Sequence, residues 1–262
     1  MELNTKEELL EAVKQDGLAL KYASDELKND KNFILEAVKK NGFALGYASE
    51  RLQDDKDVVL EAVKKDGLAL YFASDELKAD KEVVMEAVKK NASALGCVSE
   101  EIRNDKDFVL QAVKIDGLVL VYASDNLRDD KEIVLEAVKN DVSALGIASD
   151  RLKNDKDIVL QAVRENGDAL RFAKQRLKND KDVVLETVKN YCYALSYASD
   201  ELKNDKEVVL EAVKNDGRTL YCASEKLQAE FKEKGIERIE REVKETKTDK
   251  KIEKDKGISL GL

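Results

Sequence analysis

Apolar positions along this chain recur in a fixed text. From Asp55 to Ala79 it reads D-K-D-V-V-L-E-A-V-K-K-D-G-L-A-L-Y-F-A-S-D-E-L-K-A, and at Asp80 the same text begins again. The period is 25 residues without insertion or deletion, which is the mark of a repeat architecture. The opening Asp falls at Asp30, Asp55, Asp80, Asp105, Asp130, Asp155, Asp180 and Asp205, and Thr5 holds the place in the first copy. This gives nine repeats, from Thr5 to about Ala229.

Each column predicts a structural job. Asp or Thr is a helix N-cap whose side-chain oxygen accepts free backbone N–H groups. Thr5 and Glu8 have capping-box spacing. In the run V-V-L-x-A-V, as in Val58, Val59, Leu60, Ala62 and Val63, two adjacent faces are apolar, so the helix is buried on more than one side. The D-G or N-G step, as at Asp66-Gly67 or Asn166-Gly167, predicts the end of that helix, with Gly in a left-handed C-terminal cap. A second, shorter helix then reads G-x-A-L-x-Y-A-S. The Ser N-caps one further turn, S-D-E-L-K, in every repeat except the seventh, which has Lys174. A β-solenoid does not fit, because V-V-L-E-A-V lacks strand alternation. A helix of about ten residues is marginal alone in water, so each repeat is stable only against its neighbours.

The fold class expected is therefore all-α: a right-handed α/α solenoid of nine 25-residue helical repeats over residues 1–229. A capping helix over 230–248 is expected to cover the last repeat with Phe231, Ile236, Ile239 and Val243, and 249–262 to form a mobile charged tail. A second period overlies the first. Gly46, Gly96, Gly146 and Ser196 are small in the even repeats, where the odd repeats have Lys21, Tyr71, Val121, Arg171 and Tyr221. One reading pairs the repeats as 50-residue units, either through duplication of a two-repeat ancestor or because the small positions admit a close neighbour, or a ligand backbone, at every second repeat.

Composition narrows the function. Hydrophobic residues make up 43% and charged residues 39%, with no proline and no histidine, which excludes His-based metal sites and His acid–base catalysis. A net charge of −9 argues against a duplex nucleic-acid binder. Met1 to Leu20 lacks the pattern of a signal peptide, and no apolar run approaches a membrane span. Cys97, Cys192 and Cys222 are too few and too irregular for a disulfide framework, so they read as reduced thiols of a cytoplasmic protein. Acidic columns such as Asp25, Asp75, Asp125 and Asp200 lack the oxygen-rich loop of a calcium site. No metal, cofactor or catalytic residue is expected, and the protein does not read as an enzyme.

Two columns carry the candidate chemistry. Lys follows the capping position in all nine repeats, although a cation at a helix N-terminus opposes the dipole. The expected explanation is a ladder of inter-repeat ion pairs. The column of Tyr22, Tyr47, Phe72, Tyr122, Phe172 and Tyr197 is expected to fill the core, with Cys97 and Cys222 in the same column. Against this fixed frame, two positions three residues apart vary: Leu18/Lys21, Phe43/Gly46, Leu68/Tyr71, Ser93/Gly96, Leu118/Val121, Ser143/Gly146, Asp168/Arg171, Tyr193/Ser196 and Arg218/Tyr221. Spacing of three puts both on one helical face. Leu18, Lys21, Phe43, Leu68, Tyr71, Leu118, Val121, Arg171, Tyr193, Arg218 and Tyr221 are accordingly the candidate groove for a peptide or protein partner.

The text D-K-x-V-V-L-x-A-V-K-x-N-G-x-A-L-x-Y-A-S-x-x-L-K resembles an uncharacterised family of bacterial and viral tandem-repeat proteins, known as a domain of unknown function. The resemblance covers residues 5 to about 229 and implies an α-solenoid with an interaction role. It brings no catalytic residues. Lys174-Gln175 in place of S-D, and Tyr191-Cys192-Tyr193 in place of D-G-L, mark the seventh and eighth repeats as the most divergent. The function expected is a non-catalytic binding or scaffold protein. The alternatives are a self-assembling structural protein and a single-stranded nucleic-acid binder that stacks bases on Tyr71 and Tyr221.

Overall fold

The computed structural model of the protein describes the backbone of residues 6–259, and every regular element among them is helical. The capping role expected of Thr5 and the end of the expected tail, 260–262, lie outside the described residues. The chain divides into two compact units, Met1–Ile147 and Ala148–Leu262.

A repeat consists of three short pieces. The first is a ten-residue α-helix: Lys6–Gln15, Lys31–Lys40, Lys56–Lys65 and onward to Lys206–Asn215. The Asp before it starts the helix as expected. Asp55 has an extended backbone (φ −86°, ψ 111°), and its carboxylate accepts the N–H groups of Asp57 and Val58. Two apolar faces are buried, with Val58, Val59, Ala62 and Val63 all at 0% exposure. On the outer side Lys64 pairs with Glu61 at 3.5 Å. In the first repeat Glu8 stands in the Val58 column and is exposed.

The second piece differs from expectation. It is a six-residue 3₁₀-helix in eight of the nine repeats, for example Gly67–Phe72. At three residues per turn, side chains at i and i+3 eclipse, so six residues define three pairs. Gly67 and Leu70 face inward and are buried. Ala69 and Phe72 form the second pair, and Leu68 and Tyr71 the outermost, with Tyr71 66% exposed. The sixth repeat has Val142 in the Gly column, and there the segment becomes an α-turn, Ala144–Ile147.

The Gly column does not act as a left-handed cap. Among the described residues only Gly235 has a positive φ. The helix ends instead at Asp66, which is extended (φ −145°, ψ 116°) and turns its side chain forward to accept the N–H of Leu68. Gly is needed next for closeness. A Cβ on Gly67 would lie 2.3 Å from the carbonyl oxygen of Ala87 in the following repeat, and Gly17, Gly42 and Gly117 meet Ala37, Ala62 and Ala137 in the same way. The following helix occupies that space.

The third piece is a short turn of helix, such as Glu100–Arg103, where the hydroxyl of the Ser column, here Ser99, accepts the N–H of Ile102. That Ser also joins repeats. Within the first unit the N–H of Ser49 donates to Lys28 O (2.9 Å) and the N–H of Ser74 to Gln53 O (3.0 Å). The hydroxyl of Ser49 donates to Asn29 Oδ1 at 2.8 Å. Lys174, the exception in the second unit, keeps the backbone bond to Lys153 O at 3.0 Å and adds an ion pair to Asp150 at 2.7 Å. Within each unit, consecutive long helices pack on one another, and consecutive 3₁₀ segments do likewise.

At the C-terminus the expected boundaries move. The last short helix extends to ten residues, Glu225–Lys234, turns at Gly235 (φ 75°), and is followed by one helix, Ile236–Ser259. Capping thus begins before residue 230. Residues 249–259 continue the same helix. Phe231 and Ile239 are buried at 4% and 0% exposure.

Candidate binding face

The Lys column is a structural ladder. Lys31–Asp55 (2.8 Å), Lys56–Asp80 (2.7 Å) and Lys106–Asp130 (2.8 Å) link consecutive repeats of the first unit, as does Lys81 to Asp105. Lys156–Asp180 (2.8 Å) and Lys181–Asp205 (2.7 Å) do so in the second. Lys206 has no further Asp and pairs with Glu230 and Glu242 of the C-terminal helices. These cations are engaged by the frame, and the cleft of about 510 Å³ beside Lys181, Asp205, Lys206 and Glu242 is walled by the same pairs. For Asp80, burial pushes the carboxyl up, but the Lys56 ammonium and the N–H groups of Val83 and Glu82 outweigh it and hold it below the usual carboxylate value.

The candidate face is the outer edge of the 3₁₀ segments. Ten large hydrophobic side chains are exposed among the described residues, and seven of them lie on these segments: Tyr22, Tyr47, Tyr71, Leu118, Val121, Tyr193 and Tyr221. The concentration on one kind of segment, five side chains in the first unit and two in the second, differs from the scattered exposure usual on protein surfaces.

In the first unit the candidate residues divide by depth. Leu18, Phe43 and Leu68 are half-buried at the foot of the face, whereas Lys21, Tyr71, Leu118 and Val121 are exposed. Phe43 and Tyr71 converge on one ring: each packs edge-to-face on Phe72, with centroids 6.1 and 5.2 Å away. Cations of the chain approach these rings too. Lys21 Nζ is 4.7 Å from the Tyr22 centroid, and Lys78 Nζ is 5.9 Å from that of Tyr71.

In the second unit Arg171 and Tyr221 are exposed, and Arg171 covers Phe172 at 4.4 Å. Tyr193 and Arg218 meet through Asp216, a residue not singled out in the sequence. The Tyr193 hydroxyl donates to Asp216 Oδ2 at 2.7 Å, and Arg218 Nη2 donates to the same oxygen at 2.8 Å. Arg218 first, and Tyr193 after it, hold the Asp216 carboxyl far below the usual range.

The aromatic column is not the core filling expected. Tyr22 is 62% and Tyr47 39% exposed, while Phe72 and Tyr122 are half-buried. For Phe72 and Tyr122 a small residue of the preceding repeat makes room for the ring. A Cβ on Gly46 would touch the Phe72 ring at 2.7 Å and one on Gly96 the Tyr122 ring at 2.9 Å. The small residue of one repeat therefore seats the aromatic of the next.

Among the described residues no group of three or more His, Cys, Asp or Glu is placed to hold a metal ion, and no helix is long and apolar enough to cross a membrane. The three cysteines are unpaired. Burial pushes the Cys97 thiol up, against the pull of Lys78, so it is a poor nucleophile.

A family profile described as Domain of unknown function (DUF4116) matches residues 5–53, 55–103, 80–128, 105–153, 130–178 and 180–228. The chain belongs to this family, as a tandem array of repeats of about 25 residues. Each window spans two repeats, and windows open on odd and even repeats alike, so the profile favours neither pairing. No curated protein and no solved structure matches the chain.

Proposed function

We propose that this member of the family is a non-catalytic binding or scaffold protein, a right-handed α/α solenoid that holds a peptide or protein segment along the outer edge of its 3₁₀ segments, in the cytoplasm. One observation carries the reading: among the described residues, seven of the ten exposed large hydrophobic side chains sit on that one kind of segment, five in the first unit and two in the second. The rest of the repeat is committed to the frame through capping Asp, paired Lys and interlocking Gly. Tyrosine-rich exposed surface is characteristic of recognition sites, since a large rigid ring with a polar end gives contact area at small entropic cost.

The test replaces Tyr71, Leu118 and Val121 together by Ser. Each is exposed, so circular dichroism of the variant should match that of the parent. Affinity capture from the source cell, read by mass spectrometry, should then lose the proteins that the parent recovers. Recovery of the same proteins by the variant would overturn the proposal.

A further inference from the structure

The first unit presents more than exposed rings. Beside the 3₁₀ segments runs the third piece of each repeat, and the residue after its Ser is acidic in each of the first three repeats: Asp25 and Glu50, which begin short helices, and Asp75, in the turn before Leu77–Ala79, all exposed. These carboxylates follow the aromatics Tyr22, Tyr47 and Tyr71 by only three or four residues. The fold brings the two rows within reach of one ammonium. Lys78 Nζ lies 5.9 Å from the Tyr71 ring centroid and 3.7 Å from Asp75 Oδ1. The Asp75 side chain is nonetheless 99% exposed and Tyr71 66%, so a second cation can approach both.

We infer that this face of the first unit takes a basic, extended peptide, its Lys or Arg side chains placed against tyrosine rings and held by the flanking carboxylates. The inference rests on the peptide-binding reading above and narrows it to a charge class. Three features converge on it: aromatic faces attract cations, the carboxylates supply the opposite charge, and the chain carries −9 overall, which draws in a basic partner. The spacing of cations follows from geometry. Packed helical elements stand about 8–10 Å apart, and an extended chain advances about 3.3 Å per residue. One repeat therefore corresponds to about three peptide residues.

Fluorescence anisotropy on the full chain tests this with three labelled twelve-residue peptides. One has Arg at every third position, one has Leu at those positions, and one has the same number of Arg gathered at one end. The spaced basic peptide is expected to bind best and to weaken with added salt. Its affinity should fall at least about tenfold in Asp25→Asn/Glu50→Gln/Asp75→Asn and in Tyr22→Ser/Tyr47→Ser/Tyr71→Ser. It should hold in Glu11→Gln/Glu36→Gln/Glu61→Gln, which alters the long helices. Equal binding of the end-loaded peptide, or an equal loss in the long-helix variant, would reduce the effect to bulk charge and overturn the inference. Binding of the Leu peptide alone would overturn it while leaving the peptide-binding reading in place. Binding of none would sink both.

Discussion

Lys56 Nζ lies 2.7 Å from Asp80 Oδ2 in the following repeat, while Asp80 Oδ1 accepts the backbone N–H groups of Glu82 and Val83. One carboxylate therefore starts its own helix with one oxygen and ties down the preceding repeat with the other. This explains a cation at a helix N-terminus, where the dipole disfavours it. The ammonium answers to the next repeat's capping carboxylate and to Glu82 beyond it, at 2.8 Å. Local structure and repeat stacking thus share an atom group, which makes the two hard to separate by mutation except through chemistry.

Asparagine provides that separation. Asp80→Ala removes the cap and the pair, and is expected to cost about 1–2 kcal/mol, most of it from the cap. Asp80→Asn keeps a capping oxygen and loses the charge and the acceptor facing Lys56, an exposed pair, so it should cost well under half as much. Lys56→Ala should also fall below Asp80→Ala, because an exposed pair contributes little. Urea unfolding followed by circular dichroism ranks the three. If Asp80→Asn proves as damaging as Asp80→Ala, the ion pair outweighs the cap and the expected ranking fails.

The ladder also sets a pH window. Asp55, Asp80, Asp105, Asp130 and Asp180 are held below the ordinary carboxylate value of 3.8 in the folded chain. Their contribution is therefore present above that value and lost as pH falls through the lowered ones. Lys31, Lys56, Lys81, Lys106 and Lys156 are raised above 10.5, so their contribution is complete below 10.5 and lost as pH rises through the raised values. Thermal midpoints should be flat from about pH 5 to 9 and fall on both sides. With no histidine in the chain, a step near pH 6 to 7 would show that groups outside the ladder control the pH dependence.

The frame was legible in the sequence because its causes are local. An Asp that caps a helix three residues later, or an apolar run that must be buried, leaves a mark within one turn. Gly67 carries the same letter for a left-handed cap as for a close approach, and the atom that decides, the Ala87 carbonyl, lies twenty residues away. The 3₁₀ geometry was hidden for a similar reason, since spacing of three suits both helix types. Tyr22 and Tyr122 share a column, yet only Tyr122 follows a small residue, Gly96, that seats its ring. Exposure at the candidate face thus depends on pairs of repeats, which a column read singly does not disclose.

The glycine column contains its own control. Gly67→Ala would set a methyl 2.3 Å from the Ala87 carbonyl and force two repeats apart, with an expected cost of about 1–3 kcal/mol. At Gly217 a Cβ meets nothing within 4 Å, because no repeat follows. Gly217→Ala should then be neutral or stabilising by up to about 1 kcal/mol, through lower entropy of the unfolded chain. Paired thermal melts decide the matter, and equal destabilisation by both would show that backbone conformation, not proximity, requires glycine.

The C-terminal helix is expected to act as a surrogate repeat rather than as a loose appendage. It supplies Glu242 to Lys206, together with Glu230 from the preceding helix, and Glu240 to Lys214 at 2.8 Å, while Lys247 returns to Glu207 at 2.7 Å. Between these pairs Ile239 is fully buried, and Leu210, half-buried in the other repeats of its column, falls to 4% exposure. Burial of this size outweighs the exposed ion pairs, so the apolar contact should dominate docking. Ile239→Ala is therefore expected to cost about 2–5 kcal/mol and to melt the last repeat first. Ile236→Ala, three residues earlier and 42% exposed, should stay within about 0.5 kcal/mol of the parent. Hydrogen exchange provides the local readout: amides of Val208 to Val213 should lose protection in Ile239→Ala while those of Val58 to Val63 keep it. Undiminished protection at Val208 to Val213 would mean that the helix contributes nothing to the end of the array.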